Sequence, residues 1–218
     1  MNNILGLVLS FIFVFVVIGL STLLQKLNVL KEEGARKFIH IGVSNWWFFV
    51  NFMFDNIWWA IIAPIVFIVL NYLSYRYNLI KSMERNGDGN LGTVYFPISL
   101  LILTIAAFTF LNPYISGIGI LVLGYGDGLA AVIGKMIPSK KIFGNKSLSG
   151  TLTMFLASFI VIVLYTLLAT NINLIVDFLM IKILVISLAA AVIELFTPNG
   201  LDNLSIPILV SLLSFLLI

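Results

Sequence analysis

Long apolar runs separated by short polar stretches fill the chain from one end to the other. A helix needs roughly 20 apolar residues to cross a bilayer. Runs of that kind fall near 4–24, 38–54, 57–75, 97–111, 115–134, 149–170, 174–195 and 204–218. The pattern predicts an all-α, polytopic transmembrane helical bundle of about eight spans, with seven to nine as the range. The second, fourth and last runs are short, which predicts tilted or re-entrant segments or shifted ends. No repeat and no linker rich in Pro, Gly or Ser divides the 218 residues, so a single integral membrane domain, 1–218, is expected.

Composition agrees: 61% of the residues are hydrophobic and 10% charged, more apolar than a soluble core requires. The placement of charge adds orientation. Lys26, Lys31, Arg36 and Lys37 fall in the first loop, Arg76, Lys81 and Arg85 in the third, and Lys135, Lys140, Lys141 and Lys146 in the fifth. Asp55 and Asp177 occupy opposite loops, with Lys182 as the stray cation. Basic residues stay cytoplasmic during insertion, so both termini are expected outside and the odd-numbered loops inside. The N-terminal MNNILGLVLS lacks the basic region of a cleavable signal, and the first helix is expected to be retained. The absence of cysteine excludes disulfides, thiolate zinc sites and cysteine nucleophiles. A net charge of +3 gathered in a few loops suits anionic headgroups or a polyanion as the local partner, and topology alone is the competing explanation. Membrane lipids are expected neighbours, and no nucleic acid is.

Four polar clusters carry candidate chemistry. In Arg36-Lys37-Phe38-Ile39-His40, helical spacing puts Arg36, Lys37 and His40 on one face, continued by Ser44. Two cations and the only histidine suit a phosphate with a nearby proton carrier, and snorkelling side chains are the plainer alternative. In Gly124-Tyr125-Gly126-Asp127-Gly128, Asp127 lies inside an apolar run, where an ionised carboxylate costs about 2.5–3.5 kcal/mol. Gly126 and Gly128 would let a nucleotide or cation approach the backbone, with Gly134 further along the same stripe; a packing stripe with Asp127 paired to a lysine is the alternative. The 135–149 loop supplies Lys135, Lys140, Lys141 and Lys146 around a triphosphate, and Ser147 or Ser149 as a helix cap leaving N-terminal amides toward the anion. Last, Glu194 stands within an apolar run, ahead of a polar segment in which Asp202 or Asn203 would cap the final helix. The Asn86-Gly87-Asp88-Gly89-Asn90 cluster predicts a turn and lacks the spacing of a calcium loop. Gly126-x-Gly128-x-x-Ala131 lacks a strand-turn-helix context, and Asn145-Lys146-Ser147 lacks the glycines of a phosphate loop.

Taken in order, RKFIH, GTVYFP, GDGLAAVIGK, GNKSLSGT and GLDNLSIP resemble the polyprenol kinase family of CTP-dependent membrane lipid kinases, over about 33–207. The family includes dolichol kinase, phytol kinase and a CTP-dependent diacylglycerol kinase. The resemblance implies transfer of the γ-phosphoryl group of CTP to the hydroxyl of a membrane isoprenoid alcohol (phytol, geranylgeraniol or a polyprenol) or of diacylglycerol, with Mg²⁺ or another divalent cation, at the cytoplasmic face. Arg36, Lys37, Asp127, Gly134, Lys146 and Asn203 match its motifs. It implies Asp127 as metal ligand or nucleotide orienter, Lys140, Lys141 and Lys146 on the triphosphate, and Arg36 and Lys37 on the transferred group, with Glu194, His40 and Asp202 as candidate bases. A membrane cytidylyltransferase forming CDP-lipids is the nearest alternative, but its C-terminal acidic and glycine-histidine pattern is missing. A small ion-coupled transporter using Asp127 and Glu194 is the second, and the nearly bare outer loops speak against it.

Overall fold

In a computed structural model of the protein, residues 2–77, 79, 91–170, 178–198 and 200–218 are described. The helices are α1 (Asn3–Lys26), α2 (Glu32–Ser44), α3 (Trp47–Phe52), α4 (Ile57–Ala60), α5 (Ile62–Tyr77), α6 (Gly92–Thr109) and α7 (Pro113–Leu121). A π-helical stretch (Val122–Asp127) joins α7 to α8 (Gly128–Met136), and α9 (Leu148–Ala169), α10 (Leu179–Phe196) and α11 (Asp202–Leu217) follow. Between α8 and α9, β1 (Lys141–Phe143) and β2 (Lys146–Ser147) form a small antiparallel hairpin. Lys81, Arg85, the 86–90 cluster, Asp177 and Asn199 lie outside the described residues.

Six stretches are long and apolar enough to cross a membrane: Asn3–Lys26, Ile57–Tyr77, Gly92–Thr109, Pro113–Met136, Leu148–Ala169 and Leu179–Phe196. The chain is an integral membrane protein. The two remaining runs are the α2–α3 pair and α11, so each expected span has a helical counterpart among the described residues. Three starts move most, and that of the seventh run falls at Leu179 rather than 174. The second run starts at Glu32 rather than 38 and breaks after Ser44, where the Asn45 side-chain amide donates to the Ile41 carbonyl at 2.9 Å and satisfies a group that the break exposes. The fourth starts at Gly92 rather than 97, because Pro97 is accommodated within the helix.

The solvent-facing pattern is inverted relative to a soluble protein. Ile4, Val8, Ile12 and Phe15 on α1, and Leu152, Leu156, Ile160 and Leu164 on α9, form exposed apolar stripes suited to lipid. Small polar residues lie inside instead. Ser10, Ser21, Ser44, Ser158 and Ser211 are fully buried, and most bond a backbone carbonyl, as Ser21 does across to Ala35 at 2.8 Å. Such residues let helices approach closely. Gly42 faces Val17 of α1, and Gly119 faces the Pro207 carbonyl of α11, with no room for a β-carbon at either.

The joined helix from Pro113 to Met136 is the most buried of the long helices, and α2, α9 and α11 pack around it. Asn3 donates to Asp55 at 2.6 Å, which puts the start of α1 beside the turn after α3 at one end of the bundle. At the opposite end, Lys37, Asp127, Lys146 and Glu194 meet. The cations of the first and fifth loops therefore share one end, as alternation of the spans requires.

Candidate active site

Glycine spacing explains how an acid comes to stand among cations here. Gly124 and Gly128 press against Ser44 and Ile41 of α2, while Gly126 presses against Met154 and Ser158 of α9. With no β-carbons in the way, both neighbours close on the π-helical stretch that ends at Asp127. π-Turns offset the side-chain register of a helix and recur at functional sites. Asp127 is thereby set against α2, where Lys37 Nζ donates to its Oδ2 at 2.5 Å and His40 Nε2 stands 3.6 Å from the same oxygen. Asp127 is 4% exposed and Lys37 6%, so the pair is taken out of water together. Removal of either partner would strand a buried charge. The second oxygen, Oδ1, has no hydrogen bond among the described residues.

A second pair, half-buried on its lysine side, joins elements 48 residues apart in sequence, against 90 for the first. Lys146, in β2, is bonded to Glu194 Oε1 near the end of α10, and Glu194 Oε2 is buried without a partner. Burial alone would push the Lys146 ammonium down, but Glu194, with help from Asp127 and Asp202, outweighs it and holds the group above its ordinary value. Lys146 is fully charged throughout the neutral range.

These pairs border one cavity of about 480 Å³, lined by residues of α2, α8, the hairpin, the start of α9, the end of α10 and the start of α11. Arg36, Lys37, Asp127, Gly134, Lys135, Lys141, Lys146, Ser147, Glu194, Asp202 and Asn203 all reach it. Gly134 faces Gly150 across the α8–α9 junction, which keeps the wall thin there. Not every expected residue converges. Gly126 and Gly128 are used for helix packing and do not border the cavity, Lys140 points to the exterior, and His40 reaches Asp127 without lining this space.

Ser147 caps α9, its hydroxyl accepting from the Gly150 amide at 3.2 Å. The expectation that free amides of this helix would face an anion is not met. Leu148 N donates to the Lys140 carbonyl and Ser149 N to Ser139 Oγ, so the first three amides are all used within the protein. The positive potential comes from side chains instead. Asp202 does not act as a side-chain cap of the last helix's interior amides; its Oδ1 accepts from the Gly200 and Asn203 amides and shapes the turn before α11. Asn203 donates to the Gly200 carbonyl and leaves its buried Oδ1 unpartnered.

Two contributors escaped sequence reasoning. Thr151, one turn beyond the Ser147 cap, borders the cavity with a buried hydroxyl that has no partner. Its distance from the cap was the available signal. Glu33 pairs with Arg36 and lies 3.3 Å from Lys135, joining the start of α2 to the end of α8 at the mouth. Its i,i+3 spacing to Arg36 was legible; the Lys135 contact was not.

Burial would raise the Glu33 carboxyl, but Arg36, then Lys135 and Lys37, outweigh it and hold the group at about 2. Because its folded value lies below its unfolded one, the stabilisation is complete above the ordinary carboxylate range and is lost as pH falls toward that value. Glu33→Gln is expected to lower the unfolding temperature at pH 7 and to flatten its decline between about pH 5 and pH 2. Thermal unfolding in detergent against pH checks this, and an unchanged acid limb would remove Glu33 from the network.

No family model and no solved structure matches the chain. It is 33% identical to the phytol kinase of Synechocystis over 86% of this chain and 81% of that one. It is 28% identical to phytol kinase 1, chloroplastic, of Arabidopsis thaliana, over 88% of this chain and 69% of the relative. Farnesol kinase, chloroplastic, from the same plant is 27% identical over 99% of this chain and 77% of its own length.

Proposed function

Since the chain belongs to the polyprenol kinase family, we propose that it is a lipid kinase transferring the γ-phosphoryl group of CTP to the hydroxyl of a membrane alcohol. The observation that carries the reading is the single cavity in which Asp127 and Glu194 meet Arg36, Lys37, Lys141 and Lys146 at one end of an apolar bundle. A water-soluble triphosphate needs such a basic recess, and a lipid hydroxyl is available at that depth. The acceptor belongs to the class named in the phytol and farnesol kinases, and the donor is what the family resemblance implies. On the distribution of basic residues the cavity faces the cytoplasm, both termini lie outside, and the 218 residues work as one domain.

In this reading Lys141 and Lys146 hold the triphosphate, and Arg36 and Lys37 neutralise the group in flight, since phosphoryl transfer depends mostly on positioning and charge stabilisation. The alcohol oxygen bonds to the γ-phosphorus, the bond from that phosphorus to the β–γ bridging oxygen breaks, and CDP leaves. Among the candidate bases, Glu194 is engaged by Lys146 and Asp202 by the Gly200 and Asn203 amides, whereas His40 Nε2 has no hydrogen-bond partner. As the neutral tautomer protonated on Nδ1, His40 takes the hydroxyl proton.

A hard divalent cation fits the lining. The donors left over, Asp127 Oδ1, Glu194 Oε2 and Asn203 Oδ1, are all oxygens, and among the described residues no group of three acidic, cysteine or histidine ligands forms a cage without phosphates. Asp127 and Glu194 would hold it. Bound there, the ion would offset phosphate charge.

The test is phosphoryl transfer by the purified chain with γ-labelled CTP or ATP and farnesol, geranylgeraniol, phytol, a long polyprenol or diacylglycerol. Label is expected on a prenyl alcohol, from CTP, with release of CDP. Release of pyrophosphate with formation of a CDP-lipid would replace this reading with the cytidylyltransferase.

A further inference from the structure

Beside the polar cavity lies a second, very different space: a narrow slot of about 60 Å³ between α1, α2, α5 and α6. Its walls are apolar, from Val14 and Ile18 on α1, Val43 on α2, Phe67 on α5, and Phe96 and Leu100 on α6. The slot and the cavity share Arg36, Lys37, Gly92 and Asn203, so the apolar space ends where the cations begin. Phe11 and Phe15 of α1 lie against the Phe67 ring of α5, at 5.6 and 6.2 Å between centroids.

Three polar atoms in the slot lining are buried with no hydrogen-bond partner: Asn203 Oδ1, which the slot shares with the polar cavity, and His40 Nε2 and Thr93 Oγ1, which belong to the slot alone. Unpaired buried polar atoms cost free energy and call for an explanation. An alcohol supplies one, because a hydroxyl donates one hydrogen bond and accepts another. Thr93 can donate to it and His40 Nε2 can accept from it. The His40 ring is held in place for this by Phe96, whose ring centroid is 4.7 Å away.

We infer that this slot is the acceptor site, taking the hydroxyl end of a single-chain prenyl alcohol, with Thr93 and His40 as its polar contacts and the tail leaving between α1 and α5. The inference rests on the kinase reading and narrows it. A slot of this size admits one slender chain and excludes the branched glycerol backbone of a diacylglycerol. The protein has another apolar groove, about 580 Å³, bordered by Leu121, Leu129, Leu156, Ile160 and Leu164. It shares no lining residue with the polar cavity, and a chain lying there would hold its hydroxyl away from the cations.

The experiment measures geranylgeraniol and CTP saturation for the full chain in lipid nanodiscs. Ile18→Trp and Val43→Phe, which fill the slot, are expected to raise the KM for the alcohol at least about ten-fold, a change of 1.4 kcal/mol. Their KM for CTP should stay near that of the unaltered protein, which also certifies the fold. Ala157→Trp, which fills the other groove, should leave both constants unchanged. An alcohol KM raised by Ala157→Trp alone, or by none of the three, overturns the slot while the unaltered protein's transfer keeps the kinase reading. No transfer by the unaltered protein overturns the kinase reading itself. Should the slot variants fail to fold, a diazirine-bearing geranylgeraniol analogue decides with the unaltered protein. Label on α2 or α6 supports the slot, and label on α9, or none in the slot, overturns it.

Discussion

Asp127→Asn is expected to abolish most of the activity, lowering CTP-dependent transfer by about 10²–10³ or more, the loss typical when one preorganised electrostatic contact is removed. The substitution keeps the shape of the side chain and removes its charge. Lys37, 6% exposed and 2.5 Å away, is then left as a buried cation with no carboxylate beside it except across the cavity. Breaking a buried pair from one side costs about 3–5 kcal/mol, so stability should fall along with rate. The two losses separate in the double variant Lys37→Met with Asp127→Asn, in which no charge is stranded. Its unfolding temperature should recover much of what the single variant loses, and its transfer rate should not recover. Full activity in Asp127→Asn would move the centre of the site elsewhere.

The second large effect is expected at Lys146. Lys146→Met should lower kcat/KM for CTP by about 10² or more, since a charged contact to the triphosphate is lost, and should also destabilise the fold. Glu194, 4% exposed, would keep one oxygen already without a partner and lose the partner of the other. Pairing Lys146→Met with Glu194→Gln removes the stranded charge, so the unfolding temperature is expected to rise again while kcat/KM stays low. If the double variant regains its rate, Lys146 serves only to neutralise Glu194 and does not hold nucleotide.

Both predictions turn on pairs that join distant parts of the chain. Lys37 and Asp127 are 90 residues apart, and Lys146 and Glu194 are 48 apart. Each member was legible alone as a charge within or beside an apolar run, because a charge in such a place needs a reason that local structure does not provide. Which carboxylate meets which cation was not legible, since helical periodicity speaks only to neighbours three or four residues away. The glycines around Asp127 show the same limit. Their number marks a place where something comes close, and the packing reveals that α2 and α9 are what comes close at Gly124, Gly126 and Gly128. The start of α9 carried the opposite lesson: its serines were readable as caps, but use of its first amides by Lys140 and Ser139 depends on how the hairpin folds back.

By itself the sequence determined a helical bundle of about eight apolar segments with its cations near one end, because span length and charge retention are local properties of composition. Only the tertiary structure decided that Asp127 is clasped by Lys37, that Lys146 is paired with the buried Glu194, and that an apolar slot ends at the same cations. Those are matters of which helices touch and at what height. Close packing through small residues settles them, and no single segment contains that information.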